Sequence, residues 1–427
     1  MTPGQPVFPQ GRMTVPTPTA HSREMRESDQ CPLSSVVKGG FFMEFITATY
    51  RVPWDDHLAE KAQAIAVSMT VGSWTDLPDA RKPHLRRYLG EVGRVVQDGP
   101  SGLFEIRYPL DNVRPSISSL LTVVFGKLSL DGAIRLERLD LPEAFAEALP
   151  GPAFGIPGLR ALLGVERRPL VMSIFKSENG RNLREFESAF EEQIQGGVDL
   201  VKDDEIFMAD HNAPLVDRIR AARDALSRRE ARTGQRGLYI PVLSGSPKEI
   251  LDKALSWVEA GAQGFLVAAY TLGLDVLVDL RRAGISVPLI LHPAFAGGQI
   301  GSPERGIHPA LFLGQLPRLA GADVVLYPSP YGSVAMPKPE SLAVADALRR
   351  REPRPPLLPG PSAGIHAGVL PQLFQDFGRD IVINAGGAVH GHPGGTRVGA
   401  QILVEAAARF EETRDGSLPP QREATKP

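Results

Sequence analysis

The sequence holds a single cysteine, Cys31, among 427 residues, and no long apolar run. One cysteine cannot close an internal disulfide, so stability has to come from a packed core. No stretch approaches the roughly 20 apolar residues needed to span a bilayer. An excess of charge of one sign is also missing: 47 Lys and Arg stand against 49 Asp and Glu, for a net charge of −2, with no extended basic run. That balance argues against a nucleic-acid groove or an anionic membrane surface and leaves a small molecule as the expected partner. Residues 1–42 lack the basic segment and apolar core of a secretory signal, and a reducing cytoplasm is the compartment expected. What is present is ordinary for a globular protein: 42% hydrophobic and 7% aromatic residues, in a chain long enough for two or three domains with a sizeable core.

Pro, Ser, Thr and Gly fill Met1 to Gly40, so residues 1–42 are expected to be a disordered extension, with Met43 a candidate start. From residue 43 to 150 the pattern predicts a small α+β domain. Its strands are expected at Phe45–Tyr50, Leu103–Tyr108, near Leu121–Phe125 and at Ala133–Leu139, with helices at Asp56–Met69 and Ser116–Leu121. From 151 to 414, short apolar runs alternate with amphipathic stretches such as Leu183–Gln195 and Pro247–Ala260, the pattern of repeated βα units. Eight strands can be counted: Pro169–Phe175, Asp199–Asp204, Leu238–Ser244, Gly264–Ala269, Pro288–Phe295, Asp323–Pro328, Leu357–Gly364 and Ile381–Gly387. Eight close a (β/α)8 TIM barrel. The third and seventh contain prolines, which fit strand ends better than interiors. Residues 415–427, with Pro419-Pro420, are expected to be a disordered tail.

In such barrels the side chains at the carboxyl ends of the strands and in the βα loops converge on one mouth. That selects Lys176, Lys202 to Glu205, Ser244, His292, Ser329 to Ser333, Ser362 to His366 and Asn384 to His392. The densest group is Lys202-Asp203-Asp204-Glu205. With a period of two, Lys202 and Asp204 point into the barrel, Asp203 faces the helices, and Glu205 at the turn can swing back. Hard Mg2+ takes carboxylate oxygens at about 2.1 Å and is repelled by an ammonium. Addition of CO2 to the neutral amine of Lys202 would give a carbamate, a third carboxylate-like ligand. The alternative is a lysine salt-bridged to its neighbouring acids. Ser362, Gly364, Gly386 and Gly387 lie where barrel enzymes bind phosphate through backbone N–H groups, or they form plain tight turns. His292 is either a substrate ligand or a satisfied mouth histidine, and His390 and His392 are expected to shape their loop.

Gly196-Gly-Val-Asp-Leu-Val-Lys-Asp-Asp-Glu205 resembles the activation motif of the RuBisCO superfamily, in which the lysine is carbamylated and the acids matching Asp204 and Glu205 bind Mg2+. The likeness runs from about Phe45 to Arg409, with Gly151-Pro-Ala-Phe-Gly155, Lys176, His292, Ser362-Ala-Gly364 and Gly386-Gly387 in the same order. It implies a ferredoxin-like α+β domain ahead of the barrel. The loop after strand six, Ser329-Pro-Tyr-Gly-Ser-Val-Ala335, lacks the lysine that steadies a carboxylated intermediate, Lys176 is followed by Ser177 rather than by the usual lysine pair, and Pro293 follows His292. These features mark a RuBisCO-like protein rather than a carboxylase. Gly72-Ser-Trp-Thr-Asp-Leu-Pro78, Phe125-Gly-Lys-Leu-Ser-Leu-Asp-Gly132, Met172-Ser-Ile-Phe-Lys176 and His390-Gly-His-Pro393 are similar to the 2,3-diketo-5-methylthiopentyl-1-phosphate enolases of methionine salvage.

That resemblance implies enolisation of a small phosphorylated diketone, with Lys127 as general base, made neutral by burial and the nearby dication, and Lys176 in the catalytic group. It also implies a homodimer in which Ser73, Trp74 and Lys127 reach across to complete the partner's site. Some positions depart from the enolases. Ser177-Glu-Asn179 replaces a small, mostly apolar stretch, Val242 and Ala268 replace asparagines, and Ala388 replaces a glycine. Glu178 is expected to bring negative charge near a phosphate. A related isomerase or decarboxylase on another phosphorylated keto-sugar acid would share the enediolate. A non-catalytic binding protein on this fold is opposed by the survival of the metal ligands with Lys127 and Lys176.

Overall fold

Alternate residues of β1 (Phe45–Pro53) are buried, Ile46, Ala48, Tyr50 and Val52 facing one core, as expected of a sheet with one covered face. In the computed structural model, which describes residues 44–72, 83–208, 211–351 and 354–412, β1 is central to a five-stranded sheet. The extension and tail expected at 1–42 and 415–427 lie outside these residues. β3 (Ser101–Pro109) pairs antiparallel along the full length of β1, and β2 (Glu91–Asp98) pairs with β3 at the edge. β4 (Arg135–Asp140) flanks β1 on its other side. β2 was not foreseen, because a bulge between Val92 and Val95 breaks the apolar alternation that would have revealed it.

The strand expected at Leu121–Phe125 is instead helical: Ile117–Leu121 continues into a wider turn at Thr122–Gly126. Val123, Val124 and Phe125 have strand propensity, but three features override it. Ile117, Leu120 and Val124 recur at helical spacing and are buried. The Ser116 hydroxyl accepts from the Ser119 N–H. Both carboxylate oxygens of Asp275 accept from the Ile117 and Ser118 N–H groups at 2.8 Å, satisfying donors that a helix start leaves open.

The barrel strands are β5 (Leu170–Ile174), β6 (Leu200–Lys202), β7 with β8 (Leu238–Ile240 and Val242–Leu243), β9 (Phe265–Val267), β10 (Leu289–Leu291), β12 (Val324–Pro328), β13 (Leu358–Ser362) and β14 (Val382–Ala385). Each lies within its expected segment. Pro241 splits the third strand, so that β7 pairs back to β6 and β8 pairs forward to β9. In β13 the Leu358 N–H faces β12, bonding the Asp323 carbonyl. Pro359 and Pro361 therefore fall on the β14 side, where their missing N–H groups remove two potential rungs. The ladders accordingly run β14-β5-β6-β7 and β8-β9-β10-β12-β13. Prolines are accommodated here because the lost donors face the seam.

Leu170, Met172, Leu200, Leu238, Ile240, Val242, Leu266, Ile290, Val324, Leu326, Leu358 and Val382 fill the barrel, with Leu159 and Leu163 of the helix Gly155–Leu163 packed against them. A short β11 (Gly306–Ile307), contributed by the barrel segment, adds a parallel edge to β4. Among the described residues no helix is long and apolar enough to cross a membrane.

Candidate active site

Strand period two carries the sequence Leu200-Val-Lys-Asp-Asp204 directly into the site. Lys202 is fully buried, its Nζ 3.0 Å from the Asp203 carbonyl and 3.5 Å from Glu205 Oε2. Asp204 Oδ2 pairs with Lys176 Nζ at 2.5 Å, and Glu205 Oε2 lies 3.2 Å from His292 Nε2. Five of the expected residues, from β5, β6 and β10, therefore meet at one mouth. Burial lowers the Lys202 pKa, aided by Lys176 and opposed by Glu205 and Asp204. Burial raises the Glu205 carboxyl, but Lys202 leads the effects that bring it below its ordinary value. His292 is pushed down to about 3, first by burial and then by the charge of Lys202. Its Nδ1 accepts from the Ala294 N–H at 3.2 Å, so the neutral ring holds its proton on Nε2 and donates to Glu205.

Asp203 points to the helices as its parity requires. Its Oδ1 accepts from Tyr239 at 2.7 Å and from Arg218 Nη2 at 2.9 Å, and its Oδ2 accepts from the Val242 N–H at 3.1 Å. Arg218, on the helix Leu215–Thr233, lies between the rings of Phe186 and Phe207, 4.4 and 4.2 Å from their centroids. Glu178 corrects an expectation. Instead of facing a phosphate it is 5% exposed, bonded to Arg218 Nη2 and, through Oε2, accepting from the Asp204 N–H at 2.7 Å. Burial first, then the Asp203 carboxylate, push its carboxyl up to about 10. Sequence reading missed this inner cluster because nothing in the spacing of Glu178 and Arg218 pairs them. A charged residue in a stretch otherwise expected to be apolar was the available signal.

The glycine loops pack closely. Ala363 and Gly364 both have φ +68°, and a Cβ on Gly332 would lie 1.8 Å from the Ala363 carbonyl oxygen, so the loops after β12 and β13 can touch only through glycine. Ser362 Oγ accepts from Asn384 Nδ2 at 2.9 Å, bridging the β13–β14 seam. Gly386 has a nearby duty: a Cβ there would stand 2.9 Å from Lys176 Cε, so its absence clears the path of that side chain. Gly387 opens the short helix Gly387–His390 in open space. His390 donates from Nε2 to the Ile174 carbonyl at 2.9 Å, and His392 Nδ1 accepts from the Gly394 N–H at 3.0 Å, so both shape the loop as expected.

Lys127 does not join this cluster by burial. It is exposed, in the turn after Gly126, and its Nζ donates to Ser68 Oγ at 2.8 Å. Ser73 and Trp74 lie outside the described residues. Of the other departures, Val242 is buried in the barrel interior, Ala268 follows β9, and Ala388 lies in the short helix after Gly386.

The chain matches the model of the ribulose bisphosphate carboxylase large chain, catalytic domain, over residues 155–334 and 353–418. It is 46% identical over 386 residues to the 2,3-diketo-5-methylthiopentyl-1-phosphate enolase of Exiguobacterium sibiricum, covering 87% of this chain and 98% of that one. Among solved structures, a rubisco-like protein from Alicyclobacillus acidocaldarius superposes with a TM-score of 0.80 at 45% identity, covering 86% and 94% of the two chains. A dimeric archaeal Rubisco from Hyperthermus butylicus gives 0.77 at 26% identity, covering 88% and 92%. The chain belongs to the ribulose bisphosphate carboxylase large-chain family, among RuBisCO-like proteins whose curated relatives are 2,3-diketo-5-methylthiopentyl-1-phosphate enolases.

Proposed function

We propose that this protein is a cytoplasmic isomerase that enolises 2,3-diketo-5-methylthiopentyl 1-phosphate in methionine salvage, as a Mg2+-dependent homodimer without carboxylase activity. The observation that carries the reading is the fully buried Lys202 between Asp204 and Glu205 at the barrel mouth. Among the described residues no three His, Cys, Asp or Glu side chains group to hold a metal. Two carboxylates call for a third oxygen donor, and Lys202, fully buried where the Lys176 side chain is 40% exposed, is the amine best placed to become one. Its burial favours the neutral amine that adds CO2. When bound by Asp204, Glu205 and the Lys202 carbamate, Mg2+ would supply a Lewis acid for the substrate's adjacent carbonyls.

The remaining work falls to the chain. Lys127 takes the proton from the carbon bearing the phosphate, which requires its amine to be neutral at that moment. Lys176, held on Asp204, keeps positive charge beside the oxygens that gain negative charge. Neutral His292 fixes the orientation of Glu205 and adds no competing cation. Ser362, Gly364, Gly386 and Gly387 line the side where the phosphate binds, with close backbone approach. Lys127 is exposed on its own chain and completes the site of a partner subunit, with Ser73 and Trp74 joining it. The loop Ser329 to Ala335 carries no lysine for a carboxylated intermediate.

The test is turnover of the diketone by wild type with Mg2+ and bicarbonate, followed by its enol absorbance. Lys127→Ala and Lys202→Ala should each be inactive, and an equimolar mixture refolded together should regain about a quarter of wild-type activity, because half the dimers carry one intact shared site. No turnover by wild type would overturn the substrate assignment. Failure of the mixture to recover activity would overturn the shared site.

A further inference from the structure

We infer that Glu178 is a positioning residue for the metal ligands, clamping the backbone of Asp204 from beneath. This rests on the reading of Lys202, Asp204 and Glu205 as the metal site. In the β5–β6 register Ile174 stands opposite Lys202, and the Phe175 N–H already bonds the Lys202 carbonyl. The next rung would take the Asp204 N–H to the Phe175 carbonyl. That rung is replaced: Asp204 N–H goes to Glu178 Oε2 at 2.7 Å.

Local chain geometry explains how the side chain reaches. Ser177 has φ +57°, an uncommon conformation for a residue with a Cβ, and its carbonyl accepts from Arg181 Nε at 2.7 Å, which holds the turn. Lys176 before the turn reaches the Asp204 carboxylate, and Glu178 after it reaches the Asp204 backbone. One short turn thus grips both ends of the same residue. Glu178 is anchored in turn by Arg218, which also bonds Asp203, itself tied to Tyr239 and the Val242 N–H. Asp203 and Asp204 are therefore set by one buried network whose members are all under a tenth exposed. A plain ion pair with Arg218 would not need the contact to Asp204; that contact makes Glu178 a support for the ligands rather than for the core alone. Partners of this kind beneath metal ligands change metal affinity by about 10–100-fold when removed.

The experiment is calorimetric titration of Mg2+ into the full chain at fixed bicarbonate, with the melting temperature measured alongside. Glu178→Val, which removes the acceptor, should weaken Mg2+ binding about tenfold or more, whereas Glu178→Gln, which keeps an oxygen for the Asp204 N–H, should stay within about threefold of wild type. A folded Glu178→Val protein that binds Mg2+ within about twofold of wild type would overturn the clamp. So would a Glu178→Gln protein as weak as Glu178→Val, since an oxygen acceptor for the Asp204 N–H would then not be what matters. If Glu178→Val does not fold, amide exchange decides on the metal-free wild type: protection of the Asp204 N–H supports the clamp and rapid exchange overturns it. Wild type that binds no Mg2+ with bicarbonate present overturns the metal-site reading and the clamp with it, whereas wild type that binds beside an unaffected valine variant overturns the clamp alone.

Discussion

Both ends of the barrel bury charge, and they resolve it differently. At the amino-terminal end, acids at the strand starts are matched by arginine. Arg168 grips both oxygens of Asp199 at 2.7 Å, Arg281 pairs with Asp323, and Arg160 binds Asp380 at 2.8 Å. Backbone donors take the remaining acceptor sites: Val171 N–H on Asp199, and Phe154, Gly155 and Leu289 N–H on Asp323. At the carboxyl end Arg218 likewise holds Asp203 and Glu178, but the cations facing Asp204 and Glu205 are lysines, and one of them, Lys202, makes its carboxylate contact only at 3.5 Å. Arginine stays charged and offers a fork that saturates a carboxylate, whereas a buried lysine is a point charge that can become neutral and react. On the proposed function, the comparison separates fully paired buried charge, which serves the fold, from a loosely paired buried lysine, which serves chemistry.

Lys202→Met should break the upper end most severely. On the proposed function, losing the Lewis-acid site that Lys202 would complete costs several kcal/mol of barrier, so turnover should fall at least about a thousandfold. The urea midpoint should hold or rise, because exchanging a desolvated ion for an apolar side chain is often neutral or stabilising. A large loss of stability would mean that Lys202 is a structural ion-pair partner. Asp323→Ala at the lower end should do the reverse. It strands the buried Arg281 and three backbone donors, which should cost about 3–5 kcal/mol of unfolding free energy, with turnover per folded molecule unchanged. Lost activity in a still-folded protein would erase the division of labour.

The upper end was largely legible in the sequence because strand parity is strict. Once Val198 to Val201 reads as an apolar strand start, Lys202 and Asp204 must share a face and Asp203 must oppose them. The family likeness then supplied what parity does not, the pairing with Lys176 and His292 from distant strands. Glu178 was legible as a departure but not as a contact, since its direction depends on the left-handed turn at Ser177, which no propensity for serine indicates. The helix at Thr122–Gly126 was misread for a similar reason: the capping carboxylate of Asp275 lies more than 150 residues away in the chain. The prolines of β13 were readable as a weakness, but their harmlessness depends on which neighbour each missing N–H would have faced.

The smallest expected effect separates the two ends by pH. The lower pairs use arginine, whose charge does not change in the physiological range, so histidine titration in the metal-free protein belongs mainly above them. Burial lowers the pKa of His390, with Arg181 and Lys176 adding to the shift and the bond to the Ile174 carbonyl opposing it. A depressed folded pKa means that below an ordinary value near 6.5 the unfolded chain takes up a proton that the folded chain resists. The stability contributed by neutral His390 is therefore present above about pH 6.5 and declines as the solution is acidified from there. His390→Gln keeps an N–H for the Ile174 carbonyl but does not titrate, so urea midpoints at pH 7 and pH 5 should draw closer together by a fraction of a kcal/mol. His292, driven down to about 3, and His308, lowered by burial, would still supply a slope of the same sign. A His390→Gln protein with an unchanged slope would show that the ring titrates alike in the folded and unfolded chains, and a steeper slope that the ring carries its proton in the folded state, the bond to β5 stabilising the charged rather than the neutral form.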